Sequence, residues 1–428
     1  MVNHKSTGYD IGFEEAFSRT LERLAPLAPV RLAVDEVEAL VAAQDCVAKA
    51  DCPSAATSSK DGFAVISADL PNACQGRPVK LKVRGESVAG GPTTARVSRG
   101  EAVRITTGAR IPDGADAVIA EEFTRQQGDC VLCMTDCVPG RNIIEQGYDV
   151  AKGQTLVRRG EVLMPAKAGL LAAGGIAAVE VYPKPRIGII ATGDELVRPG
   201  EPLKPGQLYA SNLVTLVCWL RRFGMDAQVE VAGDQPASLA GAAERLLANV
   251  DVLLTSGGAW KSDRDLTTKV LAQMGAEVAF HRVRMGPGKA VALMLLKGKT
   301  VFCLPGGPPS NEMAFLQIAL PGLLHLAGRT PEPFEYRWAT LTKTLEGQKD
   351  WTQFHYAAIE EKDGSASGGL ARRSCGVFVG PVEVRSRLAS AALANALIKI
   401  PEGVERLERQ SQIQVQVLFT DAAKGRSR

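Results

Sequence analysis

Short uncharged apolar runs alternate with longer amphipathic ones most clearly between residues 183 and 328. The run 187–191 is short, rich in β-branched residues and free of charge, as strands buried on both faces of a parallel sheet are. It ends in Thr192-Gly193-Asp194-Glu195, where a glycine lets the chain turn and polar side chains gather. The pattern then repeats. Ser211 is placed to cap a helix running to Phe223 and closed by Gly224. Residues 251–255 read as a second buried strand ending in Ser256-Gly257-Gly258, with a helix from near Asp263, carrying Asp265 in its first turn, to Gly275. Residues 301–304 read as a third strand, followed by Pro305-Gly-Gly-Pro308-Pro-Ser310 and a long apolar helix to about Leu326. In such an open α/β sheet the ligand sits outside the carboxyl ends of the strands, so these glycine-rich mouths are expected to converge on one pocket.

Elsewhere the pattern changes. Residues 11–24 have helical apolar spacing, and 35–50 read as a second helix followed by an extended turn. From Phe63 to about 145 short strands are predicted over 63–66, 79–84, 102–107 and 116–123, with turns at Gly90-Gly91-Pro92 and Pro112-Asp113-Gly114. After Gly328, β-rich segments at 337–345, 352–360 and 412–419 surround one short helix over 386–396. The predicted architecture is therefore α/β plus β domains: an N-terminal helical and extended linker domain (1–45 and 146–182), an inserted mostly β domain (46–145), a central α/β domain (183–328) and a C-terminal β domain (329–428). A chain of 428 residues is too long for one ordinary core, which agrees with several domains.

Composition narrows the function classes. A net charge of +3 demands neither nucleic acid nor an acidic membrane as partner. No charge- and glycine-free apolar run reaches membrane-spanning length, and the N-terminus lacks a signal-peptide core, so a cytoplasmic protein is expected. Nine scattered cysteines suit reduced thiols. Cys130, Cys133 and Cys137 have spacings that can hold a metal, but no fourth ligand is near and the segment also reads as a half-buried strand, the preferred reading. The four histidines, at 4, 281, 325 and 355, show no ligand spacing.

Singly, each polar mouth is a weak motif: Asp234 and Asp265 alone read better as helix caps, Lys289 as a solvated lysine and Asp61-Gly62 as a turn. Their order is more specific. Asp61-Gly-Phe-Ala-Val65, Ile105-Thr-Thr107-Gly-Ala109, Gly147-Tyr-Asp149, Thr192-Gly-Asp-Glu-Leu196, Ser256-Gly-Gly258 with Asp265, Pro287-Gly-Lys289, Leu304-Pro-Gly-Gly-Pro-Pro-Ser310, Ser390-Ala-Ala-Leu-Ala-Asn395 and Pro401-Glu-Gly403 follow one another. Together they closely resemble the molybdopterin molybdenumtransferase family, the bacterial MoeA proteins and the gephyrin E domain, over nearly the whole chain. The resemblance implies an elongated four-domain homodimer with a central molybdopterin-binding domain and a C-terminal β-barrel-like domain. It also implies insertion of molybdate into adenylyl-molybdopterin, Mg²⁺-dependent release of AMP, and transfer of the product to molybdenum or tungsten apoenzymes.

The residues suit that chemistry. A pyrophosphate favours backbone N–H groups at glycine-rich loops and helix starts, which Ser256-Gly257-Gly258 and Pro305–Ser310 offer beside Thr192 and Gly193. Mg²⁺ takes one or two carboxylates plus substrate oxygens, and Glu195, Asp234 and Asp265 follow three strand ends. A tetrahedral dianion needs lysine, hydroxyl or backbone donors, for which Lys289 and Ser310 are candidates. The resemblance implies that Asp61, Thr107 and Asp149 complete the cleft across domains or across the dimer. Departures cluster at the expected anion site: the family's Lys-Pro-Gly-Lys-Pro is Gly286-Pro-Gly-Lys289-Ala290, and Pro-Gly-Asn-Pro-Val-Ser is Pro305-Gly-Gly-Pro-Pro-Ser310. Lys261 or Arg284 are candidates to restore the lost charge. Three functions remain open: the molybdenumtransferase or a tungstate-using variant, an adenylyltransferase or nucleotide pyrophosphatase on the same nucleotide-type domain, and a non-catalytic binding or scaffold protein.

Overall fold

The computed structural model describes residues 9–92, 95–257, 266–362, 376–384 and 386–419. Two compact units result, one of Met1–Ala28 with Tyr182–Arg428 and one of Pro29–Val181.

The first unit begins with strand Tyr9–Gly12 and helix α1 (Phe13–Arg23). Phe13 and Ala16 are buried in the same core as Phe302, Phe315 and Leu320 of the α/β segment, and the Phe13 ring meets Phe354 edge-on at 5.3 Å. In the second unit, Ala178–Tyr182 pairs antiparallel with Val30–Ala33 and lies beside Val41–Ala42. A separate six-stranded sheet runs in the order Thr124–Gln127, Cys130–Cys133, Val79–Ser87, Glu101–Ile105, Gly62–Val65, Ala117–Ala120. Phe63, Leu81, Ile119, Val131 and Cys133 fill its core. Helix α2 (Pro165–Ala173) completes the unit, with Leu171 buried.

The helix expected over 35–50 does not form. The segment is turn and two short strands, Val41–Ala42 and Cys46–Val47. Val37, Leu40, Val41 and Ala42 are buried, while Asp35, Glu36 and Glu38 are exposed. The segment's backbone bonds instead go across the unit, Ala42 N–H to Glu161 O (3.0 Å) and Ala43 N–H to Glu180 O (2.9 Å).

In the α/β segment, Ala227–Ala232, Ile187–Thr192, Val252–Ser256 and Lys299–Leu304 lie side by side, all parallel. Every residue of Ile187–Thr192 and Val252–Ser256 is buried, which explains their unbroken apolar character. Helices α3 (Ser211–Arg222), α4 (Pro236–Leu247), α5 (Leu266–Gln273) and α6 (Pro308–Ala314) follow the strands. Ser211 is the first helical residue rather than the cap: the cap position is Ala210 and no side chain fills it. Gly224, at φ 71°, closes the other end as expected. The sheet then turns antiparallel through Ala292–Leu296 and Glu277–Gly286, two strands that local alternation did not reveal. Helix α6 continues through a π turn, Phe315–Ala319, into α7 (Leu320–Leu326). Pro321 has no N–H for the carbonyl four residues back, and the wider turn lies just there.

At the C-terminus, Thr352–Lys362, Gly376–Pro381, Glu335–Leu341, Gln412–Val417 and Ala396–Ile400 pair in that order. Ala396–Ile400 then pairs with Thr352–Lys362, which closes a small barrel. Leu341, Ala357, Val379, Ile398 and Val415 fill it, and helix α8 (Arg387–Leu393) lies beside α6.

Candidate active site

Because the four parallel strands share a direction, their carboxyl ends open on one edge of the sheet. A cavity of about 950 Å³ lies there, lined by Thr192, Glu195, Asp234, Ser256, Gly257, Pro305, Pro308 and Ser310, all expected from the sequence. Gly306, from the expected Pro305–Ser310 loop, also lines it, as do Tyr209 and Asn212, which were not anticipated.

Backbone packing builds the cavity. Gly257 has φ 111°, and a Cβ there would lie 2.6 Å from both the carbonyl oxygen and Oγ1 of Thr192, so only glycine lets the two mouths touch. Its N–H donates to Leu304 O at 3.1 Å, and its own carbonyl accepts from Thr267 Oγ1 at 3.2 Å. Gly193 likewise leaves room for the Glu195 carboxylate, which a Cβ would meet at 2.7 Å. Asp194 ties this loop to the next by accepting the Asp234 N–H at 3.0 Å.

The capping reading of Asp234 does not hold. The cap position of α4 is Gln235, with no side-chain cap bond. Glu195 and Asp234 are both exposed, and among the described residues neither carboxylate enters a hydrogen bond or an ion pair. Asp265, Gly258 and Lys261 lie outside the described residues. Among the described residues no three His, Cys, Asp or Glu side chains are grouped to hold a metal. Two unengaged carboxylates in one cavity nonetheless suit Mg²⁺, which completes its shell from substrate oxygens and water.

Pro305, Pro308 and Pro309 carry no N–H, so Gly306, Gly307 and Ser310 are the residues of the last mouth whose N–H groups could meet an anion. Two asparagines pin that mouth. Asn212 Nδ2 donates to Gly306 O (2.8 Å) and Asn311 Nδ2 to Pro305 O (2.8 Å). Glu312 accepts from Trp219 Nε1 and from Tyr356 Oη, each at 2.7 Å, joining α3, α6 and the C-terminal barrel. Burial, and then Glu312, push the Tyr356 hydroxyl far above its ordinary pKa, so it stays a donor.

The cationic candidates are placed differently. Lys289 Nζ stands over the Trp351 ring, 4.9 Å from its centroid, and does not line the cavity. Arg284 is held by three partners, donating to Asp10 O (2.7 Å), Asp350 O (3.2 Å) and Glu402 Oε1 (3.1 Å), and it does not line the cavity, which argues against it as the replacement for the lost lysine.

Asp61, Thr107 and Asp149 belong to the other unit. Asp61 Oδ1 accepts the Thr107 N–H at 2.6 Å. That bond, the Thr107 hydroxyl and the nearby Arg104 hold the Asp61 carboxyl below its usual range. Asp149 is exposed, and its N–H donates to Cys52 O at 2.9 Å. Asp51, unnoticed in the sequence, organises the neighbouring turn by accepting from Lys152 N–H (2.7 Å) and Gln146 Nε2 (2.6 Å). Cys130–Cys133 is a strand, and burial pushes the Cys133 and Cys137 thiols up to about 12 and about 11, the opposite of what a thiolate ligand needs.

With this geometry in place, comparison with known proteins is decisive. Residues 11–175 match the MoeA N-terminal region (domain I and II), and residues 188–325 match the probable molybdopterin binding domain. The chain belongs to the MoeA family, the molybdopterin molybdenumtransferases. It is 32% identical over 401 residues to molybdopterin molybdenumtransferase 2 of Mycobacterium tuberculosis, covering 92% of this chain and 96% of the relative. It is 33% identical over 350 residues to the molybdopterin molybdenumtransferase of Haemophilus influenzae, covering 81% and 80%. A molybdopterin biosynthesis MoeA protein from Pyrococcus horikoshii superposes with a TM-score of 0.79 at 30% identity, over 96% of this chain and 100% of that one. The multidomain MoeA fold and its C-terminal barrel are thus those of the family. Among the described residues no helix is long and apolar enough to cross a membrane.

Proposed function

We propose that this MoeA-family chain inserts molybdate into adenylyl-molybdopterin and releases AMP, acting in the cytoplasm as a homodimer with Mg²⁺. The observation that carries this reading is the cavity at the strand ends, where two unengaged carboxylates, Glu195 and Asp234, face loops rich in backbone N–H groups.

Gly306, Gly307 and Ser310 bind the substrate's phosphates, aided by the Ser256–Gly257 mouth and the Thr192 hydroxyl. Glu195 and Asp234, with Asp265, would hold Mg²⁺, which when bound neutralises charge on the phosphate oxygens. The carboxylates keep the cation beside the adenylyl linkage, while the glycine-lined walls let the backbone approach it closely. Asp61 is held ionised by Thr107 and, with Asp149, forms a second set of polar residues for the reaction. Lys289 and Ser310 are the proposed oxyanion contacts, and molybdenum or tungsten apoenzymes are the proposed recipients of the product. Keeping both carboxylates unengaged argues against a scaffold that has lost turnover, since unpaired charges in one cavity repel each other and gain nothing from folding alone.

The test is incubation of the full chain with adenylyl-molybdopterin, Mg²⁺ and either molybdate or tungstate. AMP release that requires Mg²⁺ and one oxyanion is expected. No release with either oxyanion overturns the reading. Sedimentation at micromolar concentration reports on the dimer separately.

A further inference from the structure

Ser256 is 3% exposed and sits at the end of its strand, in the wall of the cavity. Two amides meet its hydroxyl oxygen: Asn311 Nδ2 at 3.0 Å and Asn212 Nδ2 at 3.2 Å. Which end of each amide points at Ser256 is settled by the backbone. Asn311 Nδ2 also meets Pro305 O, and Asn212 Nδ2 also meets Gly306 O, each at 2.8 Å. A carbonyl oxygen accepts only, so the amide nitrogen must face it. Each NH₂ group therefore donates one hydrogen to a carbonyl and the other to Ser256 Oγ.

A serine hydroxyl has two lone pairs and one proton. Both lone pairs of Ser256 are taken, so its oxygen can accept nothing more and its proton is left to donate. Among the described residues no acceptor receives it. The same arrangement removes Ser256 from nucleophilic roles, because no lone pair is free to attack.

Two neighbouring atoms share this unfinished state. Thr192 Oγ1, in the same cavity wall, and Asn311 Oδ1 are buried without a hydrogen-bond partner among the described residues, on residues 6% and 1% exposed. Unsatisfied buried polar atoms are costly, and a ligand or water reaching this corner relieves them.

We infer that Asn212 and Asn311 are positioning residues that fix Ser256 as a hydroxyl donor to an anionic, acceptor-only oxygen of the substrate. This rests on the proposed function and adds to it a side-chain contact at the anion site. The oxygen belongs either to the adenylyl phosphate or to the metal oxyanion. Both offer the same chemistry, and neither can return a proton to a serine whose lone pairs are filled.

The test uses calorimetric titration of the full chain with AMP and, separately, with molybdate. Ser256→Ala is expected to weaken one of these probes about tenfold or more, the loss of a charge-assisted hydrogen bond. The probe that weakens identifies the source of the oxygen. Asn311→Leu should weaken the same probe by less, because the hydroxyl is kept but is free to rotate. In the Ser256→Ala background, Asn311→Leu should add almost nothing, a non-additivity that a purely structural role would not produce. Asn212→Leu, at a half-exposed position, repeats the cycle if the buried Asn311 variant fails to fold. Ser256→Ala binding both probes like wild type overturns the inference, as do asparagine effects of equal size in both backgrounds. If the wild type still releases AMP in that event, only the role of Ser256 falls. A wild type that binds neither probe overturns this inference and the proposed function together.

Discussion

Acidic side chains are used in opposite ways in the two units. In the unit 29–181, Asp61 and Asp51 are occupied by their own protein, each accepting a backbone N–H within 2.7 Å and each held ionised by it. In the α/β unit, Glu195 and Asp234 are exposed and meet no donor among the described residues. All four are acids in loops, and neither composition nor exposure separates them. What differs is whether a backbone N–H engages the carboxylate. An engaged one helps shape a loop, whereas an open one keeps every lone pair for a cation. Cations divide in the same way: Arg284 is held by three acceptors, while Gly286 leaves open space where a lysine is expected.

The largest effect should come from closing the open pair. Asp234→Asn and Glu195→Gln are each expected to lower AMP release by about ten- to a hundredfold and to raise the Mg²⁺ concentration needed, with the melting temperature unchanged. AMP release titrated with Mg²⁺ measures this. An unaltered Mg²⁺ requirement in both variants would place the cation elsewhere.

Next come the cations. A Cβ at Gly286 meets nothing within 4 Å, so Gly286→Lys should fold as wild type. It should lower the half-saturating molybdate concentration by about tenfold, one added charge-assisted contact. Arg284→Ala should do the reverse, losing about 1–2 kcal/mol of stability to urea while leaving the molybdate dependence as it was. A molybdate effect in Arg284→Ala would mean that its partners release it to the ligand.

The smallest effect concerns Asp61. Its folded pKa lies below the unfolded value, so the ionised form stabilises the fold above the unfolded pKa. That contribution is lost as pH falls through the lowered folded value. Protection of the Thr107 amide against hydrogen exchange should therefore persist below pH 3.8, the ordinary value for this carboxyl, and vanish on further acidification. In Asp61→Asn the amide should stay protected by the side-chain oxygen, without that acid dependence. A Thr107 amide that exchanges freely at neutral pH would remove the distinction between the units.

Much of this was legible in the chain. The buried strands and glycine mouths show as uncharged apolar runs ending in Thr192-Gly193, Ser256-Gly257 and Pro305-Gly306, and the structure gathers them into one cavity. The order of the motifs identified the family. The segment 35–50 misled because Val37, Leu40 and Val41 have helical spacing, yet the backbone of Leu40, Val41 and Ala42 pairs with the distant stretch 161–163. The hairpin Glu277–Gly286 with Ala292–Leu296 and the barrel-closing strand Ala396–Ile400 were missed because their partners, not their own pattern, make them strands.

The sequence alone determined the family, the parallel core and the residues at its mouths, because apolar periodicity and turn chemistry are local properties read within a few residues. Tertiary structure alone decided which polar groups are free. Ser256 meets Asn212 and Asn311 across 44 and 55 positions of chain, and Arg284 meets Glu402 across 118. Hydrogen-bond satisfaction depends on such distant pairings, so a carboxylate, a guanidinium or a hydroxyl shows its role only after the fold has chosen its partners.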